Sequence, residues 1–440
     1  MNIIIYSLIL KLLLSAFIPI NADEAYYWVW SHHMQLSFFD HPPFVAWLFW
    51  LGHPLEDIGS TVRWPGILLA HGTLFVWYKI LSPILSQTQL KWWLILSVVS
   101  PFLGMGAMFI TPDIPLLFFW SLSTYFFIKV LDSPNALNFS LLGAGLGFSF
   151  LSKYHTVLFF PVGIGLFFYQ QKIRLKWLKY ILASIFTFFI CSSPVWIWNL
   201  QNDFISFKFQ LNHGLGANHW DAYWTIEYIL GQFFIITPFV MYSIYKKDPS
   251  KKWPLWMISF ALFPLLFFLY TSLKNKVEAN WTSIAYPYIY ALALYGSKNI
   301  KPIKWAVGFW ISFFFILLIQ LAFQPLKIPG EDFKTNEITK YSEVEKLLQT
   351  DELKRSLVFA RTYQMASKLS FDLKKPIYKL KGLNRRDYFD ELTQSIPHSD
   401  YILIAKKDDQ LPDWAKVAGH TVERIESVDD LFEFRFIKIK

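Results

Sequence analysis

The string Asn21-Ala22-Asp23-Glu24-Ala25-Tyr26-Tyr27-Trp28 follows directly on the apolar run 3–20, and Phe39-Asp40-His41-Pro42-Pro43 closes the same stretch. The run reads as a membrane-spanning helix, since about 20 apolar residues cross a bilayer. The two adjacent carboxylates at its exit have two readings. They mark where a helix leaves the bilayer, or they belong to a site where a membrane enzyme meets water and a lipid-borne substrate. Asp23, Tyr26, Tyr27 and Trp30 recur at helical spacing and share one face. His41 precedes a proline and is biased to extended backbone. Pro42 and Pro43 suit the first turn of a helix over 44–51.

The rest of the chain keeps this character. Of 440 residues, 54% are hydrophobic, 20% aromatic and only 17% charged, with a mean hydropathy of +0.33. Such a composition excludes an ordinary soluble protein and points to a polytopic membrane protein. The apolar periodicity predicts a membrane all-α body of about 11 transmembrane helices, near 3–20, 64–82, 92–111, 114–131, 138–152, 156–170, 178–198, 226–245, 253–272, 281–297 and 304–323. The first run has no basic start and carries Lys11 inside it. It therefore reads as an uncleaved helix with Lys11 snorkelling or facing the bundle, not as a signal peptide. The single cysteine, Cys191, excludes an internal disulfide.

Charge divides the chain in two. Residues 325–440 hold 21 basic and 20 acidic side chains, whereas residues 1–324 hold 20 basic and 12 acidic. The net charge of +9 thus belongs almost wholly to the apolar part. There it sets topology and is not a nucleic-acid footprint. With the N-terminus in the cytoplasm, fourteen Lys and Arg fall on the inner side and five on the outer: Arg63, Lys153, Lys208, Lys274 and Lys276. That orientation puts residues 325–440 outside, as an extracytoplasmic domain. It also puts ten of the twelve acids of the membrane part on the outer side, so the chemistry is expected there. Residues 1–324 are read as the catalytic membrane domain, with the outer loops 21–63 and 199–225 forming the site.

The C-terminal domain alternates. Strands are expected at 356–360, 376–380, 401–405 and 431–439, and helices at 341–349, 362–371 and 385–393, which makes a small α/β or α+β domain. It carries no catalytic motif.

Four outer-face clusters hold the groups that can do chemistry. They are Asp23-Glu24 with Asp40-His41, Thr111-Pro112-Asp113 in a short hairpin, Ser152-Lys153-Tyr154-His155 at the top of a helix with Gly143, Gly145 and Gly147, and Trp198-Asn199 with 206–213 and Asn280-Trp281. Each has a bland reading: a helix exit for Asp23 and Glu24, a helix break or cap for Asp113, snorkelling or headgroup pairing for Lys153, interface hydrogen bonds for His213, and helix packing for the glycines.

These blocks, in this order, resemble bacterial members of the protein-mannosyltransferase-like superfamily, whose relatives include lipid A aminoarabinose and galacturonic acid transferases. The resemblance rests on Asp23 to Trp28, Phe39 to Pro43, Thr111-Pro112-Asp113-Ile114-Pro115-Leu116, Leu151-Ser152-Lys153-Tyr154 and Pro194-Val195-Trp196-Ile197-Trp198-Asn199. It covers roughly residues 20–300. It implies a GT-C fold glycosyltransferase that takes a sugar from a polyprenyl-phosphate donor at the outer face of a bacterial cytoplasmic (inner) membrane. By that resemblance Asp23 is the acceptor-side acid, Glu24 its partner and Asp113 a second-loop acid, these three being the catalytic set. Lys153, Tyr154, His41, Tyr27, Asn199 and His213 are the donor and substrate side. The expected partners are the lipid-linked donor, an acceptor such as lipid A or lipopolysaccharide, and the membrane, with no nucleic acid.

The residue chemistry fits. A phosphate leaving group needs a cation such as Lys153 or a bound divalent metal ion. A hydroxyl acceptor needs a carboxylate base. A phosphate acceptor is already an anion and needs cations instead, for which Lys208, Lys274 and Lys276 are available. Two other readings stand beside this one. Protein O-glycosylation would use the same machinery. A lipid or glycan transporter would carry charges midway through its spans, where this chain has chiefly Lys11. A non-catalytic envelope scaffold is a third.

Overall fold

The computed structural model describes residues 1–171, 174–216, 219–323, 326, 341–428 and 431–439. The chain divides into two compact units. The first comprises Met1–Phe17 and Leu36–Ile319, and the second Ile18–Gln35 and Gln320–Lys440. The stretch 21–63 is therefore not one loop. Its first part, with Asp23 and Glu24, packs with the C-terminal residues.

The helices in chain order are α1 Asn2–Phe17, α2 Ala22–His32, α3 Phe44–Gly52, α4 Trp64–Leu81, α5 Gln87–Val99, α6 Asp113–Asp132, α7 Ala136–Phe150, α8 Phe159–Gln170, α9 Lys176–Gln201, α10 Ile205–Leu215, α11 Ala222–Ile236, α12 Pro238–Tyr245, α13 Leu255–Thr271, α14 Tyr286–Leu294 and α15 Lys301–Phe323. Three of them are long and apolar enough to cross a membrane: α6, most of α9 and most of α15. The number rises to five if each of two bent pairs is one span. The remaining expected spans are shorter or interrupted. The segment 281–297, for example, is a 3-10 turn, Ala279–Ala285, followed by nine residues of α14. The run 92–111 ends as a helix at Val99, before Ser100-Pro101, where a proline disfavours helical backbone in the residue ahead of it. The count of eleven thus remains an expectation from composition.

The first unit is held by close helix packing. A Cβ on Gly143 would lie 2.0 Å from the Ser184 carbonyl oxygen, and one on Gly147 would lie 2.7 Å from the Cys191 Cβ. Small residues on α7 let the α9 backbone approach, which is the packing reading of those glycines. Large aromatics fill the interior, and several of their polar atoms find buried partners. Trp77 donates to Ser121 Oγ at 2.7 Å, Trp93 to the Pro287 carbonyl at 3.2 Å, and Trp120 to Tyr288 OH at 3.0 Å. Lys11 is 3% exposed and faces the bundle. Of the two options for it, snorkelling is not the one adopted.

The second unit contains a five-stranded mixed sheet. Its strands are β1 Val358–Ala360, β2 Tyr378–Lys379, β3 Tyr401–Ala405, β4 Thr421–Ser427 and β5 Glu433–Lys438, in the order β2-β1-β3-β5-β4. β1 pairs in parallel with β2 and β3, while β5 is antiparallel to β3 and β4, with Ile402 opposite Phe436. Helices α16 Ser342–Leu348, α17 Tyr363–Leu373 and α18 Asp413–Val417 complete it. The helix expected at 385–393 is instead two 3-10 turns, Tyr388–Glu391 and Thr393–Ser395.

Candidate active site

Asp113 stands in the first turn of α6, where the helix dipole favours a carboxylate. The side chain is buried, and its two oxygens are fully used. Lys153 Nζ donates to Oδ1 at 2.9 Å, and Asn280 Nδ2 to Oδ2 at 2.6 Å. The Thr111 and Ser283 hydroxyls lie further off, each at 3.5 Å. A carboxylate so buried is costly unless it is paired and hydrogen-bonded, and both partners are supplied here.

The Lys153 side chain reaches Asp113 because the chain breaks between α7 and the next turn. Lys153 has extended backbone (φ −160°, ψ 142°) and opens the 3-10 turn Tyr154–Leu158. The break leaves carbonyls free for others. The Phe44 amide, at the start of α3, donates to the Leu151 carbonyl at 3.1 Å. The Thr156 hydroxyl donates to the Lys153 carbonyl at 3.0 Å and shares a bond with Ser149 Oγ at 2.7 Å. The Pro42-Pro43 block is thereby tied to the Lys153 block.

The α9–α10 corner joins from another side. Tyr154 OH shares a hydrogen bond with Ser206 Oγ at 2.9 Å, with the Asn199 and Ser37 side chains beside it. Asn199 Nδ2 is held by the Val195 carbonyl at 3.0 Å. Gln210 Nε2 donates to the Asp40 carbonyl at 2.5 Å, and the Phe39 and Phe209 rings lie 4.7 Å apart. His41 and Lys153 both lie near His155. Rings form the wall behind: Phe150 stacks on Trp196 at 5.4 Å, and Phe207 sits edge-on to Tyr154 at 5.1 Å.

The first unit therefore gathers His41, Asp113, Lys153, Tyr154 and Asn199. The side chain of His213 lies outside the described residues. Asn280, Ser206 and Gln210 complete the cluster. Asn280 and Ser206 stand in segments that composition marks as polar, yet nothing in their spacing pairs them with Asp113 and Tyr154. A divalent ion at Asp113 would share its two oxygens with the Lys153 ammonium and the Asn280 amide.

Asp23, Glu24 and Tyr27 lie in the second unit, on α2. Asn21 caps that helix: its side chain accepts from the Glu24 amide at 2.8 Å, and Glu24 Oε2 accepts from the Asn21 amide at 3.2 Å. This reciprocal capping box gives the fully buried Glu24 a structural task that the sequence reading did not assign. Asp23, in the same turn, is half-buried. Tyr27 is packed edge-on against Trp30, with centroids 5.1 Å apart.

Comparison with known proteins bears on this arrangement. Residues 40–198 match the family model described as dolichyl-phosphate-mannose-protein mannosyltransferase. That region holds His41, Asp113, Lys153 and Tyr154. The lipid A galacturonosyltransferase RgtD of Rhizobium johnstonii is 22% identical over 306 residues, covering 66% of this chain and 62% of the relative. The aligned part thus spans about three fifths of that relative's length. Among solved structures, ArnT from Cupriavidus metallidurans bound to undecaprenyl phosphate superposes with a TM-score of 0.65 at 13% identity, covering 99% of this chain and 97% of that one. The apo state of the same protein gives 0.65 at 12% identity, covering 98% and 97%. The resemblance to the protein-mannosyltransferase-like superfamily is borne out, by sequence over residues 40–198 and by a shared fold with ArnT over nearly the whole chain.

Proposed function

We propose that this chain is a membrane glycosyltransferase that moves a sugar from a polyprenyl-phosphate donor to lipid A or a similar envelope glycolipid. The observation that carries the proposal is the buried Asp113–Lys153–Asn280 cluster, tied to the Pro42-Pro43 and Tyr154–Ser206 segments, with Asp113, Lys153, Pro42-Pro43 and Tyr154 inside the family-matched region. The relatives' own names, a lipid A galacturonosyltransferase and an ArnT bound to undecaprenyl phosphate, support the lipid acceptor and the lipid-phosphate donor.

In this reading the acceptor oxygen attacks the anomeric carbon in line with the bond to phosphate. The new bond is acceptor oxygen to carbon, and the broken bond is carbon to phosphate oxygen. Polyprenyl phosphate leaves with the electron pair. Lys153 has three ammonium donors and spends one on Asp113, so two remain to meet phosphate charge. Asp113 fixes the position of that cation. Tyr154 and Asn199 set the wall beside it. Asp23 takes the proton of a hydroxyl acceptor; an acceptor phosphate brings none that must be removed. Transfer takes place on the outer side of the membrane, with the C-terminal domain on that side, as the distribution of Lys and Arg indicates.

The test is reconstitution of the purified chain in vesicles with a polyprenyl-phosphate-linked sugar and lipid A. The expected product is lipid A heavier by one sugar residue. Protein O-glycosylation is the second reading, favoured by the description of the matched family. It predicts sugar on protein and none on lipid in the same assay.

A further inference from the structure

The C-terminal residues carry no catalytic motif, yet one buried polar cluster among them leads directly to the acidic turn of α2. Lys379, on β2, is completely buried. Its ammonium donates to Asp387 Oδ2 at 2.7 Å, to Asp390 Oδ2 at 2.5 Å and to the Arg385 carbonyl at 2.7 Å. Asp387 caps the turn Tyr388–Glu391 by accepting from the Phe389 amide at 2.9 Å, and Asp390 accepts from the Asp387 and Gly382 amides at 3.0 and 2.7 Å. One buried cation thus fixes the whole turn to the sheet. A fully satisfied charge network of this kind sets a unique geometry more than it adds stability.

That turn grips α2. The Tyr388 amide donates to Tyr26 OH at 2.9 Å in a buried contact. The Tyr26 ring lies 4.4 Å from Tyr363 and is stacked on Phe389 at 6.1 Å. Trp28 is edge-on to Phe371 at 5.2 Å, with the Lys374 ammonium 5.5 Å from its ring centroid. Tyr26 follows Asp23 by three residues, so both stand on one face of a short helix. The segment Ile18–Gln35 is joined at each end to the first unit by the chain itself, and it packs with the second.

We infer that the C-terminal domain is the positioning domain for Asp23, with Lys379 and Tyr26 as positioning residues that act through the Asp387–Glu391 turn. This rests on the proposed role of Asp23 in sugar transfer. Its function is orientation: the sheet fixes Lys379, Lys379 fixes the turn, and the turn holds the helix that presents the carboxylate. A carboxylate displaced by a fraction of an ångström loses rate without losing substrate.

The experiment is a double-mutant cycle in the full chain, reconstituted in vesicles and assayed with a polyprenyl-phosphate-linked sugar and lipid A. Tyr26→Phe keeps the ring and removes the acceptor for the Tyr388 amide. It should lower kcat on the order of tenfold, with KM for the donor unchanged. In an Asp23→Asn background the same change should have no further effect on the residual rate, because the group it positions is gone. An equal loss in both backgrounds, a loss confined to KM, or no loss at all would overturn the inference. If Tyr26→Phe does not reach the membrane, Tyr363→Leu loosens the same helix from the other side and enters the same comparison. Full activity of Asp23→Asn alone is a different result. It removes the reading of Asp23 itself, and the positioning inference falls with it.

Discussion

Lys153 Nζ lies 2.9 Å from Asp113 Oδ1, and the two residues are 4% and 5% exposed. Two charges so deeply buried are held by each other. Removing one partner leaves the other uncompensated, at a cost of about 3–5 kcal/mol. Asp113→Asn and Lys153→Met should each lower the melting temperature in detergent, whereas the double variant should regain most of it. Activity should not follow: all three should lose transfer by on the order of a hundredfold or more, since the cation for the leaving phosphate is misplaced or absent. Recovery of activity along with stability in the double variant would show the pair to be structural only.

Glu24 separates capping from chemistry. A glutamine at the third helical position can still close a capping box, so Glu24→Gln should leave α2 intact and transfer near the wild-type rate. Asn21→Ala removes the other half of the box and should destabilise the helix by roughly 0.5–2 kcal/mol. Hydrogen exchange over Ala22–His32 reads the helix, and the vesicle assay reads transfer. Lost transfer in Glu24→Gln with unchanged exchange would assign the carboxylate a chemical role.

The glycines of α7 predict a packing contrast. Gly143→Ala would drive a Cβ to 2.0 Å from the Ser184 carbonyl, an overpacking worth about 1–3 kcal/mol. Gly165 on α8 has nothing within 4 Å of the place a Cβ would take, so Gly165→Ala should be neutral or stabilising by up to about 1 kcal/mol. Thermal denaturation of both variants in one detergent checks the difference.

The sheet of the second unit should respond to pH. Burial holds the His420 imidazole below its ordinary value of 6.5. The folded group then binds its proton less readily than the unfolded one. The stability it contributes is complete above pH 6.5 and declines as the pH falls below that value. Asp409 acts in a lower window. Burial pushes its carboxyl up, but the Arg361 guanidinium, the Lys406 amide and Arg435 bring it below 3.8 overall, so its contribution is lost as the pH falls beneath 3.8. Exchange protection of Tyr401–Ala405, corrected for intrinsic rates, should fall as the pH is lowered from about 7.5 to about 5.5. His420→Gln should flatten that decline.

Much of the candidate site was legible because its residues are chemically conspicuous. A carboxylate in a short hairpin and a lysine at a helix end have few uses in a membrane, and Asp113 and Lys153 use each other. Tyr154 and Asn199 were found through the blocks that flank them. What could not be read was which neutral group meets which charge. Asn280 lies 167 positions from Asp113 in sequence, and only the fold pairs them. Local spacing misled in two places. The segment 385–393 has a helical pattern, but Lys379 draws Asp387 and Asp390 into a tight turn. β4 was missed because every residue of Thr421–Ser427 is exposed, with charges at Glu423, Arg424 and Glu426 blurring the alternation of a strand. The division at Ile18–Gln35 was hidden for a further reason. The aromatic face of α2 looks like an interfacial helix until Tyr363, Phe371 and Phe389 are seen to cover it.

The central claim is transfer of a sugar from a lipid phosphate to a lipid acceptor. Its most direct test is mass spectrometry of vesicles holding the purified chain, a polyprenyl-phosphate-linked sugar and lipid A. The account predicts lipid A heavier by one sugar residue, with release of an equal amount of polyprenyl phosphate, and neither product with the Asp113→Asn chain. Unchanged lipid A beside a consumed donor and a glycosylated protein would contradict it.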